Sequence, residues 1–536
     1  MPMQPVLLWS DALLFVLIAA IVALTLWARR QDALRAAWGR VLKDGMAMAA
    51  ATVLAVFVLI GLLDSLHYRA RLPAQPGAEA RYAVEVHSAL DALLSDMRQR
   101  SEKTYSAPLA THLFAREALE NSTQREFPRL KHGGAHLGAD LSGHEFDIAV
   151  RVSRGCAGGM LVWLLLVLAV RYLGPVGPTS AGQGGWPVGP ASAGQGGWSV
   201  GPASAGQGGW PTEVGPTVGP TVGPTVGPTV SPTVSPTVSP TVSPTVSPTV
   251  GHRRSLQQLL KVGAGGTATG AVLVTLLPIL LLFGIAIAVG GGYHVFGTDK
   301  VGQDVLYLSL KSIRTGLLIG TLTTLVMLPL AVLLGILAGY VGGWVDDVIQ
   351  YLYTTLSSIP GVLLIAAAVL MMQVVIDTHP EWFATSAERA DARLLALCLI
   401  LGMTSWTGVA RLLRGETLKL RELEFVQAAQ AFGVGRFAIM RRHILPNLMH
   451  IVLIALVMDF SGLVLAEAVL SYVGVGVDPS TISFGTMINT ARMELAREPM
   501  VWWSLAAAFS LMFALVLAAN LFADAVRDAF DPRSSA

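Results

Sequence analysis

Residues Leu423–Asn447 read LEFVQAAQAFGVGRFAIMRRHILPN and lie between two long apolar segments. Small and aromatic apolar residues recur here at helical spacing, which predicts a short helix with one apolar face. These residues are Phe425, Ala428, Ala429 and Phe432. Gly433 is a natural helix terminator because it adopts the left-handed conformation at low cost, and Pro446 suits the first turn of the next helix. A short amphipathic helix with basic flanks either lies on lipid headgroups or binds a groove on a partner.

The composition around this stretch indicates a membrane protein. Of the 536 residues, 53% are hydrophobic and only 13% are charged, whereas about a quarter of the residues in a soluble protein are charged. A transmembrane helix needs about 20 mostly apolar residues. Nine segments qualify: 6–27, 46–63, 155–173, 267–289, 315–341, 348–375, 394–410, 448–470 and 501–522. The sequence therefore predicts an all-α integral membrane protein with about nine transmembrane helices.

The Lys and Arg residues of the short loops predict the orientation. Loop 28–45 has five basic residues against two acidic ones, and loop 411–447 has seven against three, so both are predicted to be cytoplasmic. Loop 376–393 has four acidic and two basic residues and is predicted to lie outside. Nine helices satisfy all three assignments if the N-terminus is outside and the C-terminus inside. The net charge of +2 gives no reason to expect nucleic acid as a partner.

Two regions interrupt the membrane segments. Residues 64–154 form a polar insert that the topology places outside, and helical spacing of its apolar residues indicates that it is at least partly folded. Residues 174–266 form a low-complexity cytoplasmic linker, in which 177–250 consist of Gly/Pro-rich repeats. Proline at every fourth position blocks helix and sheet hydrogen bonding, so a disordered, extended tether is predicted. It is either a spacer or docking segment, or a repeat expansion without a role, and we favour the second.

The stretch quoted first resembles the EAA loop of ABC importer permeases, which reads Glu-Ala-Ala, three residues, Gly, and then an Ile-x-Leu-Pro ending. Six residues stand at the matching positions: Gln427, Ala428, Ala429, Gly433, Leu445 and Pro446. Gln427 replaces the usual Glu and His443 the usual Ile. The ending from His443 to Asn447 is similar to that of the peptide-permease branch. Because Gln427 removes a charge, the resemblance does not carry over an ion pair at that position.

Three further stretches resemble the same branch. Residues 296–304 read FGTDKVGQD and are similar to its GTDxxGRD segment, although the Gly-Thr-Asp also suits a capping turn before a helix. Ser358-Ile359-Pro360 is expected inside the sixth helix. Residues 470–476 read LSYVGVG, and Phe484-Gly485 follows, like the LSFLGLG…WG segment of the branch. The chain is thus identified as resembling a C-type permease subunit of the dipeptide/oligopeptide/nickel ABC importer family, which is binding-protein-dependent.

The resemblance covers about residues 267–533, and it implies a permease core of six helices with a coupling loop at 413–447. The remainder divides into two N-terminal transmembrane helices within 1–63, the periplasmic insert 64–154, a third helix at 155–173 and the linker 174–266. The implied location is a bacterial inner (plasma) membrane, with multiple crossings.

The resemblance also implies partners. The coupling loop would bind a cytoplasmic ABC ATPase. The chain has no GxxxxGK[ST] phosphate loop, so no cofactor is expected in this chain, and ATP would bind to the partner subunit. One coupling loop with six core helices supplies half of a translocation path, which implies a second permease subunit. A periplasmic solute-binding protein would deliver the solute, and lipid would surround the helices.

Ionisable residues within membrane segments are expected to face protein or water and to have a function. Asp459, near mid-membrane in segment 448–470, is the better candidate for the translocation path. Glu467 lies nearer the outer end of the same segment, and Pro360 interrupts the sixth segment. Two Gly pairs spaced by four residues in segment 315–341 indicate tight helix packing.

No catalytic constellation can be placed at one membrane depth, so an enzyme is not predicted. The insert holds six of the eleven histidines, but without compact ligand spacing we interpret them as solvated surface residues rather than a metal site. Cys156 and Cys398 lie in apolar runs and form no disulfide or zinc pattern. Two alternatives remain: a membrane sensor whose insert detects a signal, and the same permease fold taking up antimicrobial peptides. A co-purifying ATPase separates the sensor from the transporter.

Overall fold

The computed structural model describes residues 3–28, 32–72, 82–118, 125–138, 143–173, 268–383 and 385–530. The linker predicted at 174–266, with its repeats, lies outside the described residues. Within the described ranges the chain is a bundle of helices, with short strands near the start of the chain and in the insert.

The N-terminal part, residues 3–173, contains the insert together with the long apolar helices that flank it. Its helices are α1 Trp9–Ala28, α2 Asp32–Val41, α3 Gly45–Ser65, α4 Ala89–Leu93, α5 Ser95–Gln99 and α6 His144–Leu173. Its strands are β1 Met3–Val6, β2 His67–Ala70, β3 His87–Ser88, β4 Glu117–Ala118 and β5 Arg125–Glu126. Strands β1, β2 and β3 form an antiparallel sheet in that order, and β4 pairs with β5. Because β1 precedes α1 and β2 follows α3, this sheet joins the start of α1 to the end of α3.

The core, residues 268–530, contains ten helices. They are α7 Ala268–Gly290, α8 Val305–Val341, α9 Gly343–Ser358, α10 Gly361–Thr378, α11 Ser386–Arg421, α12 Glu424–Ala431, α13 Arg436–Ile439, α14 Leu445–Val473, α15 Phe484–Leu495 and α16 Trp503–Phe530. One turn of π-helix, Met440–Ile444, joins α13 to α14. Eight helical spans of the described ranges are long and apolar enough to cross a membrane. They comprise α3, α6, α7, α8, α10, α11, the continuous span from α13 to α14, and α16, while α1 adds a shorter apolar stretch, Trp9–Ala23.

The sixth predicted segment, 348–375, is not one helix, so the prediction that Ser358-Ile359-Pro360 lies inside it was wrong. Helix α9 ends at Ser358 and α10 begins at Gly361, and Ile359 and Pro360 between them are extended, with ψ of 132° and 116°. Proline lacks a backbone N–H and disfavours the helical conformation of the residue before it. The chain therefore turns within this segment, and only α10 has the length of a span.

Three other predicted segments were too short. Helix α8 has 37 residues, α11 has 36 and α6 has 30. Each extends beyond its apolar run into polar sequence, which hydropathy alone does not count as membrane-spanning. The described insert is also more structured than its helical spacing predicted, since it contributes two short α-helices, the 3-10 turn Ala135–Leu137 and four of the five strands.

The bundle has two ends. We call the end that holds α12 the inner end and the opposite one the outer end. At the inner end, Trp38 of α2 packs edge-on against Phe530 of α16, with ring centroids 5.6 Å apart. At the outer end, Asp391 of α11 accepts hydrogen bonds from Ser10 of α1, and Trp503 of α16 donates to the Thr298 carbonyl, 3.0 Å away. Loops predicted to be cytoplasmic thus share one end, and segments predicted to be outside share the other.

Candidate functional site

Helix α12, Glu424–Ala431, stops at a glycine as the sequence predicts. Gly433 has a φ of +76°, in the left-handed region. Its N–H donates to the Gln430 carbonyl at 3.0 Å, and the Val434 N–H donates to the Ala429 carbonyl at 3.1 Å. This pair of bonds is a Schellman motif, which satisfies carbonyls that the end of the helix leaves free. The helix therefore has a fixed end, after which the chain leaves in a new direction.

The two faces of α12 differ from the predicted arrangement. Val426 and Ala429 are buried, with exposed fractions of 0% and 8%. Phe425 and Phe432 are exposed, the latter to 87%, and Ala428 is exposed with them. Ala429 thus faces the chain's own core, and the prediction that it shares the apolar face of Ala428 was wrong in this respect. The helix presents two aromatic rings and a small residue outward.

The buried face of α12 belongs to a cluster of apolar side chains from six helices, which we call the inner cluster. Its members come from α8, α9, α11 and α14 as well as α12, and from the segment α13 to Ile444. They include Tyr340, Tyr353, Leu413, Val426, Ala429, Ile439, Ile444 and Leu448. Because interiors pack closely and resist deformation, a displacement of α12 would shift the membrane helices in this cluster.

Hydrogen bonds and an ion pair around the inner cluster also join its helices to one another. Arg414 of α11 forms a two-pronged ion pair with Asp346 of α9, with N–O distances of 2.6 and 2.7 Å. Gln430 of α12 donates to the Tyr340 hydroxyl of α8 at 3.3 Å. Gln427, where the family has Glu, donates to the Glu422 carbonyl at 3.1 Å and forms no ion pair. The side chain of Gln427 thus forms a local hydrogen bond that joins α12 to the end of α11.

The remaining predicted coupling residues lie at the start of α14. Leu445 is half-buried and packs on the inner cluster, whereas Pro446 is exposed in the first turn of the helix. The Leu445 N–H bonds to Met440, which closes the preceding π-turn. Such turns are often found at functional sites. The six residues therefore do not share one surface, because Ala429 and Leu445 face the core.

The three residues predicted for the path are in different surroundings. Pro360 is exposed between α9 and α10. Asp459 on α14 is half-buried, and its Oδ2 atom is buried without a hydrogen-bond partner among the described residues. Glu467 is fully buried and accepts hydrogen bonds from the hydroxyls of Ser471 and Ser483, at 2.7 and 2.9 Å. Glu467 thus links α14 to the start of α15, while Asp459 has an unused acceptor.

The segment that reads FGTDKVGQD forms the turn before α8. Asp304 accepts bonds from the N–H groups of Leu306 and Tyr307 and so caps that helix. Thr298 is fully buried beneath residues of the insert. The segment therefore contains a helix cap, but the capping residue is Asp304 and not the Gly-Thr-Asp that the sequence indicated, and the insert covers this turn.

One outer contact was not predicted as a site. Arg393 of α11 donates to Asp377 at the end of α10 and to Asp478 in the loop after α14. Its Nε atom is buried without a partner in the described part of the chain. Arg393, Gln373 and Asp478 also line a small cavity at this end. The only sequence signal was the mixed charge of loop 376–393, which we used for topology alone.

The histidines of the insert form individual contacts. His136 lies 2.7 Å from the Asp147 carboxylate, and His144 lies 3.0 Å from the Leu109 carbonyl. Among the described residues, no group of three or more His, Cys, Asp or Glu side chains is arranged to hold a metal ion.

Comparison with known proteins identifies the family of the core. The family described as binding-protein-dependent transport system inner membrane component matches residues 331–536. The chain is similar to the oligopeptide transport system permease protein of Mycobacterium tuberculosis, with 31% identity over 244 residues, which are 46% of this chain and 77% of that protein. It is also similar to the dipeptide transport system permease protein of Lactococcus lactis, with 31% identity over 45% of this chain and 64% of that protein.

A third relative is the glutathione transport system permease protein of Pectobacterium atrosepticum, with 31% identity over 45% of this chain and 73% of that protein. All three relatives are transport permeases and not enzymes. Together with the apolar helices, they establish a multi-pass protein of the inner membrane. The chain therefore belongs to the dipeptide/oligopeptide/nickel family of binding-protein-dependent ABC permeases, as a C-type subunit.

Proposed function

We propose that the chain is the transmembrane permease subunit of an ATP-driven importer, and that α12 couples ATP hydrolysis in a partner subunit to translocation. The observation that carries this proposal is the division of α12 into two faces. Val426 and Ala429 join it to the inner cluster, while Phe425, Ala428 and Phe432 point away from the chain. Exposed aromatic residues on a well-supported helix are typical of a surface that binds a partner.

The partners of this proposal follow from the chain's chemistry. ATP would bind to cytoplasmic ABC ATPase subunits, because this sequence has no phosphate-binding loop, and no cofactor is proposed for the chain itself. A second permease subunit would complete the path beside α10, whose side chains are mostly exposed. A periplasmic solute-binding protein would deliver the solute at the outer end, and lipid would cover the remaining apolar surface.

The proposed cargo is a peptide or a related small solute. The similar proteins are named for oligopeptide, dipeptide and glutathione transport, and these solutes share an amide backbone with charged ends. Asp459, with its buried and unpaired oxygen, is the proposed contact of this chain with the path. Glu467 and Pro360 would contribute to its shape, the first by linking α14 to α15 and the second by separating α9 from α10.

Co-purification with the ATPase tests the proposal. The variant Phe432→Asp places a charge at the most exposed ring of α12. Phe127→Asp is the matched control, because Phe127 is an exposed aromatic residue of the insert, away from the inner end. Each variant is expressed with the cognate ATPase, second permease and binding protein, and the ATPase retained on the tagged chain is measured.

We expect Phe432→Asp to lose most of the bound ATPase while it still inserts and still pairs with the second permease. Phe127→Asp should retain the wild-type amount. Equal retention in the two variants would contradict a partner-binding role for α12 and would favour a helix that lies on lipid headgroups.

A further inference from the structure

Two cations of the core helix α8 have all their ionic partners in the N-terminal part. Arg314 donates to Asp11 of α1 at 2.6 Å. Lys311, one turn earlier, lies 2.8 Å from Asp91 of α4 and 3.6 Å from Asp64 of α3. The three carboxylates are buried, with exposed fractions of 5% or less. Among the described residues, no acidic side chain of the core pairs with either cation.

A third core cation is shared between a carboxylate of the core and one of the insert. His294 follows α7 and is 2% exposed. Its ring nitrogens lie 2.9 Å from Asp304 and 3.4 Å from Glu102 of the insert. Burial disfavours the charged ring, but the bonds to Asp304 and Glu102 outweigh it and raise the pKa of His294 to about 9. The ring is therefore a cation at neutral pH, and Glu102 supplies its second carboxylate.

Shape complements charge in the same region. The insert runs along the turn before α8, with the Glu102 N–H donating to the Gly302 carbonyl at 2.9 Å and the Leu109 N–H donating to the His294 carbonyl at 2.9 Å. Gly302 has a φ of +78°, and a side chain at this position would collide with the backbone of Glu102. The core turn thus accepts the insert only because it has glycine where the two backbones meet.

The cations of α8 would lose their partners if the core were isolated from the N-terminal part. A buried cation is costly unless a carboxylate or several acceptors accompany it. The hydrogen-bond acceptors of the Arg314 guanidinium are Asp11, Ser10 and Ser65, all in the N-terminal part. Without residues 3–173, Lys311 and Arg314 would have no paired carboxylate among the described residues of the core.

We propose that residues 3–173 are a built-in accessory subunit, which is held on the permease core by this charge pairing at the outer end and does not need its covalent connection to remain bound. The partner of this surface is the core of the same chain, and the inference holds whichever solute the core carries.

Cleavage of the full-length protein tests the inference without any substitution at the interface. A protease site is placed within residues 177–250 and an affinity tag at the C-terminus. The folded protein is cleaved in mild detergent, and the N-terminal fragment that stays with the tagged core is measured. We expect most of the fragment to be retained. Its release from the cleaved wild-type protein would overturn the proposal.

Substitutions then test whether charge is the cause. Asp91→Asn and Lys311→Met each leave a buried charge without its main partner, so each should reduce retention after cleavage. The double variant removes both charges and should retain more fragment than either single variant. Glu416→Gln is the control, since it removes an exposed pair with Lys419 that lies within the core, and it should leave retention unchanged.

Additive losses in the double variant would overturn the charge pairing, as would single variants that retain the fragment like wild type. Retention is measured without an ATPase or a solute, so a failure of the proposed transport role would not change this result.

Discussion

His294 shows how a single buried residue depends on both parts of the chain. Its positive charge is stabilised by Asp304 of the core and Glu102 of the insert. For Glu102, the bond to the His294 ring and bonds from three backbone N–H groups outweigh the effect of burial and lower the pKa of the carboxyl group to about 2. Both groups are therefore charged across the neutral range, and the insert contributes one half of the pair.

The raised pKa of His294 predicts a loss of stability at alkaline pH. A group whose pKa is higher in the folded state contributes its full stabilisation below its unfolded value, near 6.5, and loses it as the pH rises through about 9. The loss is of the order of 3 kcal/mol. The measurement is thermal unfolding of the purified chain across that window, for wild type and for His294→Gln.

We expect the midpoint of wild type to fall between these pH values, and the variant to be less stable at neutral pH with a flatter profile. Burial lowers the pKa of the neighbouring His132, so that residue titrates below the window. Parallel profiles for the two proteins would show that the charge of His294 contributes nothing.

Asp459 and Glu467 allow a matched test of two acids on one helix. At the membrane centre, an acidic residue facing lipid would cost roughly 2.5–3.5 kcal/mol on insertion scales. Asp459 has an unpaired buried oxygen, whereas Glu467 is bonded to two hydroxyls. We expect Asp459→Asn to alter uptake while the complex assembles normally, and Glu467→Gln to lower thermal stability. If uptake by Asp459→Asn is unchanged across pH and solute concentration, Asp459 does not act in the translocation path and its role is structural.

Single residues differ in how well their roles could be predicted. The end of α12 was predictable, because Gly433 is the local terminator and its left-handed conformation depends on the chain alone. The orientation of Ala429 was not, because its spacing fits either face and burial depends on residues of α8 and α14. Arg393 was missed because its partners Asp377 and Asp478 come from two other segments.

Helices α8 and α11 illustrate packing between elements. They approach closely along their inner halves, where a Cβ atom at Gly339 would lie 2.6 Å from the Thr417 Cβ and 2.8 Å from the Arg414 carbonyl. The Gly pair predicted from sequence to allow tight packing therefore lies in a helix contact. Gly415 on α11 is a contrasting position, since a Cβ there meets nothing within 4 Å.

This contrast predicts opposite effects for one substitution. Gly339→Ala overpacks the contact and should destabilise the chain by about 1–3 kcal/mol. Gly415→Ala removes the conformational freedom of glycine in a helix and should be neutral or stabilising by up to ~1 kcal/mol. Thermal unfolding in detergent compares them. Equal unfolding midpoints for the two variants would mean that α8 and α11 can move apart at Gly339 with little cost in stability.

Element boundaries were predictable only where the chain itself decides them. The break at Pro360 follows from proline chemistry, yet the apolar run continues through it, so hydropathy joined α9 to α10. The polar first turns of α11 are helical because they are held at the outer end, where Asp391 accepts bonds from Ser10. Contacts of this kind between distant residues cannot be predicted from the average hydropathy of a segment.

At the scale of the whole molecule, the fold class and the grouping of loops at two ends could be predicted, because both depend on apolar length and loop charge. The interface between the N-terminal part and the core could not. Asp11 and Arg314 are 303 residues apart in the chain, and neither lies in a motif. A buried ion pair of this kind is visible only after the helices are placed.

The repeats at 177–250 lie outside the described residues, and their role stays a prediction. Their composition cannot form a core. We expect that replacing them with a short flexible link leaves membrane insertion and uptake near wild type. Insertion is measured by membrane fractionation and uptake with the reconstituted complex. Normal insertion with complete loss of uptake would show that the repeats have a function.

The central claim is that the outward face of α12 binds the ATPase. Ala428 and Ala429 are neighbours with the same side chain, but Ala428 is exposed and Ala429 is buried in the inner cluster. Each is replaced by Cys in a chain whose own Cys156 and Cys398 are replaced by Ala. A short cysteine-directed cross-linker is then applied to membranes that hold the complete complex.

The account predicts that Ala428→Cys cross-links to the ATPase and that Ala429→Cys does not. The cross-link should also change in yield when ATP is added, because the contact transmits the ATPase cycle. Failure of Ala428→Cys to cross-link in a complex that still takes up solute would contradict the account, and so would equal yields at the two positions.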